Sequence, residues 1–528
     1  MSSMPVALRS LLIYLICLPL ALFLGYQLTN PLSYEAVFTV GIVLGVLLIP
    51  VLLKWHRPIL FFSMGAAMVV FFLPGRPKLG LVMVAVSLLI SILQRTIQPN
   101  FRFLRVPELT WPLMAVLAVV FYTMLLQGGF GLSFFGARTA GGSRYLMLIL
   151  GVLSFFALTA QAIPRERLNT YVALFFLSGI TAMIGDFFAV VTPALRPIFL
   201  LFPPSPHAFA GEFDVGVTRL FGVTLGAAAV FRYMLARYGV GGLLVTGSRL
   251  RLLVFLGVTG LSLLGGSRLA LVGALLLFVV LFYLEGWHRT RLVVPVIGAG
   301  VLLAAVTVAF LPRMPFTVQR TLAFLPLPID PAAKLSADAS SEWRLEMWRN
   351  LLPEVPRHLL LGRGLAVSDA DLQMLTNETL SARTPDQWLW AAITGDFHNG
   401  PLSVVLTFGI WGLIAFVWLQ LAGLRVLYLN YKNGAPELKV LNTYLFAQYI
   451  VQLVVFWFVF GSMYSETIIF MSLAGFGVAA NGGVCRQPVA QPVPASVARP
   501  ALPRPLRPRP LGRPPVGLPL PARSPVRQ

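Results

Sequence analysis

The chain has 528 residues, of which 57% are hydrophobic and only 11% charged, with a formal net charge of +21. A soluble domain carries about 25% charged residues, so this chain has too few to cover a water-facing surface. A soluble globular protein is excluded, and a mean hydropathy of +0.82 points to a chain solvated by lipid.

A helical span takes about 20 apolar residues, and such runs recur from Leu11 to Ala480. Helices are expected because backbone groups in lipid must bond within their own segment, and barrel strands would alternate in polarity. In chain order the spans fall at about 8–26, 35–53, 58–73, 79–94, 108–126, 145–162, 168–191, 217–235, 251–265, 268–285, 292–311, 399–424, 438–460 and 464–480. Pro74 to Lys78 separates one close pair and Gly265-Gly266 is the only break in another, so the expected count is twelve to fourteen. The first run follows Arg9 and lacks a small-x-small cleavage site before Gln27, which reads as an uncleaved span. Cys17 and Cys485 are the only cysteines, so neither a disulfide framework nor a Cys-based metal site is expected.

The fold class is therefore all-α, a polytopic transmembrane bundle with one large loop containing short helices. Residues 1–311 form N-terminal transmembrane helices, 312–398 the loop, 399–480 C-terminal transmembrane helices, and 481–528 a tail. That tail carries Arg486, Arg499, Arg504, Arg507, Arg509, Arg513, Arg523 and Arg527 among many prolines, with no acidic residue. It cannot bury a core and is expected to be disordered near anionic headgroups, with nucleic-acid or partner-domain binding the lesser alternative.

Charge bias sets the expected sidedness. With the N-terminus inside, cytoplasmic loops hold Lys54 and Arg57; Arg95, Arg102 and Arg105; Arg165 and Arg167; Arg232, Arg237, Arg249 and Arg251; Arg289 and Arg291; and Arg425, Lys432 and Lys439. The tail falls inside too, whereas the outer loops hold fewer basic residues. The loop of residues 312–397 lies outside and gathers ten of the nineteen acidic residues, from Asp330 to Asp396. Long loops in compact proteins are usually functional. Within it, Leu345, Trp348 and Leu352 share helical spacing, so an amphipathic helix over 342–352 is expected at the membrane face.

Ionisable groups at span ends are the candidates for chemistry. His398 stands where the loop enters a span, in Asp396-Phe-His-Asn-Gly-Pro, with Asn399 suited to cap the helix. A neutral imidazole there would accept a proton from a hydroxyl; the plain alternative is a wet helix end. Arg268 lies between two apolar runs after Gly265-Gly266-Ser267, and its planar fork suits phosphate; snorkelling to the interface is its alternative. Arg219 follows a loop with His207, Glu212 and Asp214, any of whose acids would pair with it. His207, Glu212 and Asp214 have metal-compatible chemistry but match no compact ligand spacing. Asp186 would join a relay or snorkel. No Walker loop, dinucleotide fingerprint, zincin helix or nucleophile elbow is present.

Together these segments resemble the O-antigen ligase and polymerase superfamily, membrane glycosyltransferases acting on lipid-linked glycans. His398-Asn-Gly-Pro-Leu-Ser-Val-Val-Leu-Thr-Phe-Gly-Ile-Trp-Gly-Leu is similar to the family's His-Asn, Leu, Gly-x-x-Gly-Leu pattern. Gly266-Ser-Arg-Leu-Ala-Leu resembles its Ser-Arg segment. Arg344-Leu-Glu-Met-Trp-Arg and His358-Leu-Leu-Leu-Gly-Arg-Gly resemble its Arg-x-x-x-Trp and His-Pro-Leu-x-Gly-x-Gly. Leu359 departs from the usual proline, and the stretch after Arg219 lacks the usual asparagine.

The resemblance covers about 212–424 and implies transfer of a glycan from undecaprenyl pyrophosphate at the periplasmic face of a bacterial inner membrane. The acceptor would be lipid A-core, another glycan or a protein. His398, Arg268 and Arg219 would be catalytic, and Arg344, Asn399, Ser267 and Asp396 would bind substrate. No metal, no cofactor and no nucleic acid are expected, and both termini would be cytoplasmic. A polymerase of O-antigen or exopolysaccharide is the alternative; a transporter or flippase of lipid-linked glycans, or a cell-wall assembly factor without catalysis, is more remote. A transporter should show inverted repeats or midplane charges, whereas these polar groups collect at one face.

Overall fold

The computed structural model describes residues 34–98, 102–128, 141–191, 193–205, 219–367 and 395–487, with scattered positions between and before them. The chain divides into Met1–Val489 and Ala490–Gln528; the second unit lies outside the described residues, as do residues 8–13 of the first expected span. The described helices, in chain order, are α1 (Tyr34–Gly65), α2 (Leu79–Ile97), α3 (Pro107–Gln127), α4 (Gly142–Leu158), α5 (Leu168–Leu177), α6 (Ala182–Val191), α7 (Phe221–Leu244) and α8 (Arg249–Leu261). They continue as α9 (Arg268–Leu284), α10 (Val293–Phe310), α11 (Phe316–Leu322), α12 (Pro331–Leu351), α13 (Val355–His358), α14 (Gly400–Asn433), α15 (Lys439–Phe458) and α16 (Met463–Asn481). This is the all-α polytopic bundle expected from hydropathy.

Eight described helical segments are long and apolar enough to cross a membrane, and α4 and α9 are shorter apolar helices. The expected spans near 217–235 and 251–265 form α7 and α8, which are helical but fall outside that set. α7 carries Arg232 and Arg237 within its length, and α8 has only 13 residues, with Arg249 and Arg251 in its first turn.

The expected spans 35–53 and 58–73 are limbs of one helix, α1, followed by a non-helical turn at 66–78. A straight helix would hold Gly41 about 36 Å from Gly65, whereas the seven residues on to Phe72 reach about 25 Å. The Phe72 side chain nevertheless lies against Gly41. The helix must bend back between Gly41 and Gly65, where Pro50 and Pro58 each remove an N–H from the ladder.

The core forms where α4, α14, α15 and α16 pack, with Tyr145, Phe155, Phe416, Tyr449, Phe456 and Phe470 fully buried. Lipid offers no hydrophobic drive between helices, so close approach depends on small residues. Gly151 of α4 is one: a Cβ there would stand 3.2 Å from the Ile468 nitrogen of α16. By contrast, α10 buries none of its residues and presents apolar side chains all round, as a helix bathed in lipid would.

The large loop begins with α11 and α12. Asp330 caps α12, its carboxylate accepting from Ala332 N at 2.8 Å, and Pro331 follows at the first helical position. The expected helix over 342–352 is therefore the end of a longer one. Met347 and Leu351 form its buried face against Phe397, Leu402 and Leu406, and Trp348 of the expected stripe packs beside them. Leu345 and Leu352 are exposed, as residues facing a membrane surface would be.

Candidate functional site

The turn before α9 is built from three sides. Ser267 caps α9 by accepting from Ala270 N at 3.3 Å, and Gly266 takes φ +63, a conformation costly for any residue with a Cβ. Gly265 N donates to Thr224 Oγ1 of α7 at 2.8 Å. Buried Arg219 donates Nε to the Gly265 carbonyl at 3.3 Å, and buried Arg320 of α11 donates Nη1 to the Gly266 carbonyl at 3.0 Å. Asp186, fully buried, accepts from Ser205 N and Oγ and from Gly222 N, so it fixes the start of α7 beside Arg219. His207, Glu212 and Asp214 lie outside the described residues.

From that turn Arg268 reaches α12, donating Nη2 to the Ala337 carbonyl at 3.0 Å and Ser341 Oγ at 3.2 Å. Arg344 follows one turn on. Burial, and then the positive charge of Arg268, work against the charge on Arg344, while Asp396 favours it.

His398 sits at the junction of loop and α14. Its φ of +47 costs roughly 1 kcal/mol for a residue with a Cβ, and its neighbours hold it there. Trp348 Nε1 donates to the Phe397 carbonyl at 2.8 Å, Phe397 is buried, and Asn399 Oδ1 caps α14 by accepting from Leu402 N at 3.0 Å. The imidazole packs edge-on against Trp343 at 5.1 Å and against Phe460 at 4.8 Å. Its Nδ1 faces Asp396 Oδ1 at 3.7 Å, too far for a hydrogen bond. Burial lowers its pKa first; Asp396 raises it, and Arg344 lowers it further. The net direction is down from the ordinary 6.5, so the ring is neutral at pH 7.

A residue absent from the expected set joins this group. Arg144, in the first turn of α4, lies over the Tyr464 ring at 6.0 Å and within electrostatic reach of Asp396. A cation at a helix N-terminus opposes the macrodipole, and that misplacement was the available sequence signal. Ten buried side-chain nitrogen or oxygen atoms among the described residues lack a hydrogen-bond partner, and four belong here: Arg144 Nη1, Arg344 Nε, Asp396 Oδ1 and His398 Nδ1. Such atoms are costly when left unmet, so their concentration marks a place suited to a polar, anionic ligand. Among the described residues no three His, Cys, Asp or Glu side chains gather as a metal ligand set.

The loop closes over this end of the bundle through its backbone. α14 bends at Gly409, and Ile410 N donates to the Leu359 carbonyl at 2.7 Å. The carbonyls of Leu406 and Thr407 then accept from Arg363 N at 2.8 Å and Gly364 N at 2.9 Å. Gly362, at φ +69, lies so close to the Thr407 carbonyl that a Cβ would collide with it. Leu359 contributes here through its carbonyl, a group that proline also has, so its departure from the family pattern leaves this contact intact.

Structure thus brings His398, Asp396 and Arg344 together, with Arg268 joined through α12. Ser267 and Asn399 act as helix caps, and Arg219 binds the turn that launches Arg268. The fold and this cluster define a multi-pass membrane protein with a polar site at one end of its bundle. Residues 252–417 match the family model described as O-antigen ligase, a segment that includes Arg268, Arg344, Asp396 and His398 but neither Arg144 nor Arg219. The match supports the O-antigen ligase superfamily for this chain, and with it a membrane glycan-transfer function. No curated protein matches the chain.

Proposed function

We propose that the chain transfers a glycan from an undecaprenyl-pyrophosphate-linked donor to a hydroxyl of an acceptor, lipid A-core or another glycan, at the periplasmic face of the inner membrane. The observation that carries this reading is the set of unmet polar atoms on Arg144, Arg344, Asp396 and His398 at one end of the bundle. The acceptor oxygen attacks the anomeric carbon, the bond from that carbon to the pyrophosphate oxygen breaks, and undecaprenyl pyrophosphate leaves with the electron pair. His398 Nε2 takes the acceptor proton, with Nδ1–H turned toward Asp396. Arg268 and Arg344 hold the charge developing on the leaving group in a poorly solvated site, and Arg144 adds a third guanidinium. Arg219 supports Arg268 by fixing its turn. These arginines carry the charge without a metal. Charge bias supports an outer location for this end, since Lys54, Arg57, Arg165 and Arg167 collect at the other.

Deleting the gene and displaying surface glycans on a gel tests the reading. Loss of attached polymer with accumulation of lipid-linked polymer is expected. Single-repeat products would assign a polymerase instead, and unchanged glycans would overturn glycan transfer altogether.

The base has its own signature. With transfer assayed in membrane vesicles across pH, the acidic limb is expected below the ordinary histidine value of 6.5, because burial resists charging His398. A limb centred at or above 6.5 counts against His398 as the base.

A further inference from the structure

α4 runs from Arg144, in the His398 group, to Leu158, and the chain beyond it reaches the opposite end of the bundle. There, beneath the bend of α1, lies a cavity of about 440 Å³ between α1, the end of α2 and the start of α5. Lys54, Arg57 and Arg167 line it together with Gln94, Gln161 and Tyr171, and no acidic side chain is among its lining residues. Three cations in one cavity repel one another unless an anion joins them.

Arg57 is held in place from behind. Its Nη1 donates to Gln161 Oε1 at 3.0 Å and its Nη2 to the Gln161 carbonyl at 2.5 Å, which fixes the plane of the guanidinium. Its Nε is buried and has no hydrogen-bond partner. With Nη1 and Nη2 engaged by Gln161, Arg57 lends the cavity a positive charge fixed in place.

The surroundings say which anion. Leu53 and Trp55 on α1 and Ile92, Leu93 and Ile97 on α2 are all exposed, so the basic cavity opens beside bare apolar surface. Tryptophan prefers the headgroup level of a bilayer, and basic pockets between transmembrane helices take anionic headgroups. We infer that this cavity binds the phosphate of an anionic phospholipid, whose acyl chains lie along the exposed faces of α1 and α2. Free phosphate shares the charge chemistry but makes no use of the apolar wall.

The test uses the purified full-length chain in detergent, titrated with phosphatidylglycerol and followed by native mass spectrometry. One retained phosphatidylglycerol per chain is expected, held at least tenfold more strongly than phosphatidylcholine. The double variant Lys54→Gln/Arg167→Gln changes two exposed side chains and is expected to weaken retention about tenfold or more. Arg57→Lys keeps the charge but loses the bonds to Gln161 that fix its position, and is also expected to weaken retention. Equal retention of the two lipids, or equal retention by wild type and double variant, overturns the proposal. Inorganic phosphate displacing the lipid at an affinity matching the lipid's own would assign the cavity to the free ion and overturn the lipid assignment.

Discussion

His398→Asn is expected to lower glycan transfer by roughly 10²–10⁴-fold, the usual contribution of a positioned general base. Asparagine tolerates the left-handed backbone that position 398 adopts, so the substitution removes the base with little added strain. His398→Ala should lose as much activity and add a small destabilisation. The measurement is the ratio of attached to lipid-linked glycan in cells carrying each variant as the sole copy, with membrane-inserted protein quantified alongside. Near-normal transfer in both variants would remove His398 from the mechanism. Asp396→Asn separates orientation from proton transfer: a milder loss is expected, since the carboxylate stands 3.7 Å from Nδ1 and acts through the ring.

Arg268→Ala is expected to cost about 10²–10³-fold, comparable to deleting one preorganised group that stabilises developing charge. The complication is that Arg268 also tethers α12 through Ala337 and Ser341. Ser341→Ala therefore serves as the control, because it removes one tether and leaves the charge. A fall of no more than a few-fold is expected for Ser341→Ala. A loss as deep as that of Arg268→Ala would show that Arg268 works by placing α12. Arg268→Lys, which keeps charge without the bidentate fork, should lie between the extremes.

How legible the molecule was in its sequence varied with the physics involved. The bundle followed from hydropathy because backbone satisfaction in lipid leaves one solution for apolar runs of this length. His398, Asp396 and Arg344 were found through local patterns, and these three do meet. Limits appeared where long-range packing decides. The bend in α1 and the inward face of α12 depend on Phe72 and Phe397, which lie far along the chain from the residues they touch. Arg144 was missed because its partners, Tyr464 and Asp396, are hundreds of positions away. Ser267 and Asn399, expected to bind substrate, also cap α9 and α14, a role that the sequence suggested for Asn399 alone.

The loop's hold on the bundle also bears on biogenesis. Gln127 Nε2 donates to the Gly362 carbonyl across 235 positions, and Leu365 N donates to the Tyr145 hydroxyl across 220. At ordinary translation rates of about 5–20 residues per second, the chain waits roughly 10–50 s between making one partner and the other. The Leu359 and Gly364 contacts wait further, until the bend of α14 has been synthesised. Arg144 and then Arg268 are synthesised before the loop segment that bonds to Gln127 and Tyr145. These contacts therefore close late, in a docking step that joins α3 and α4 through the loop to the bend of α14.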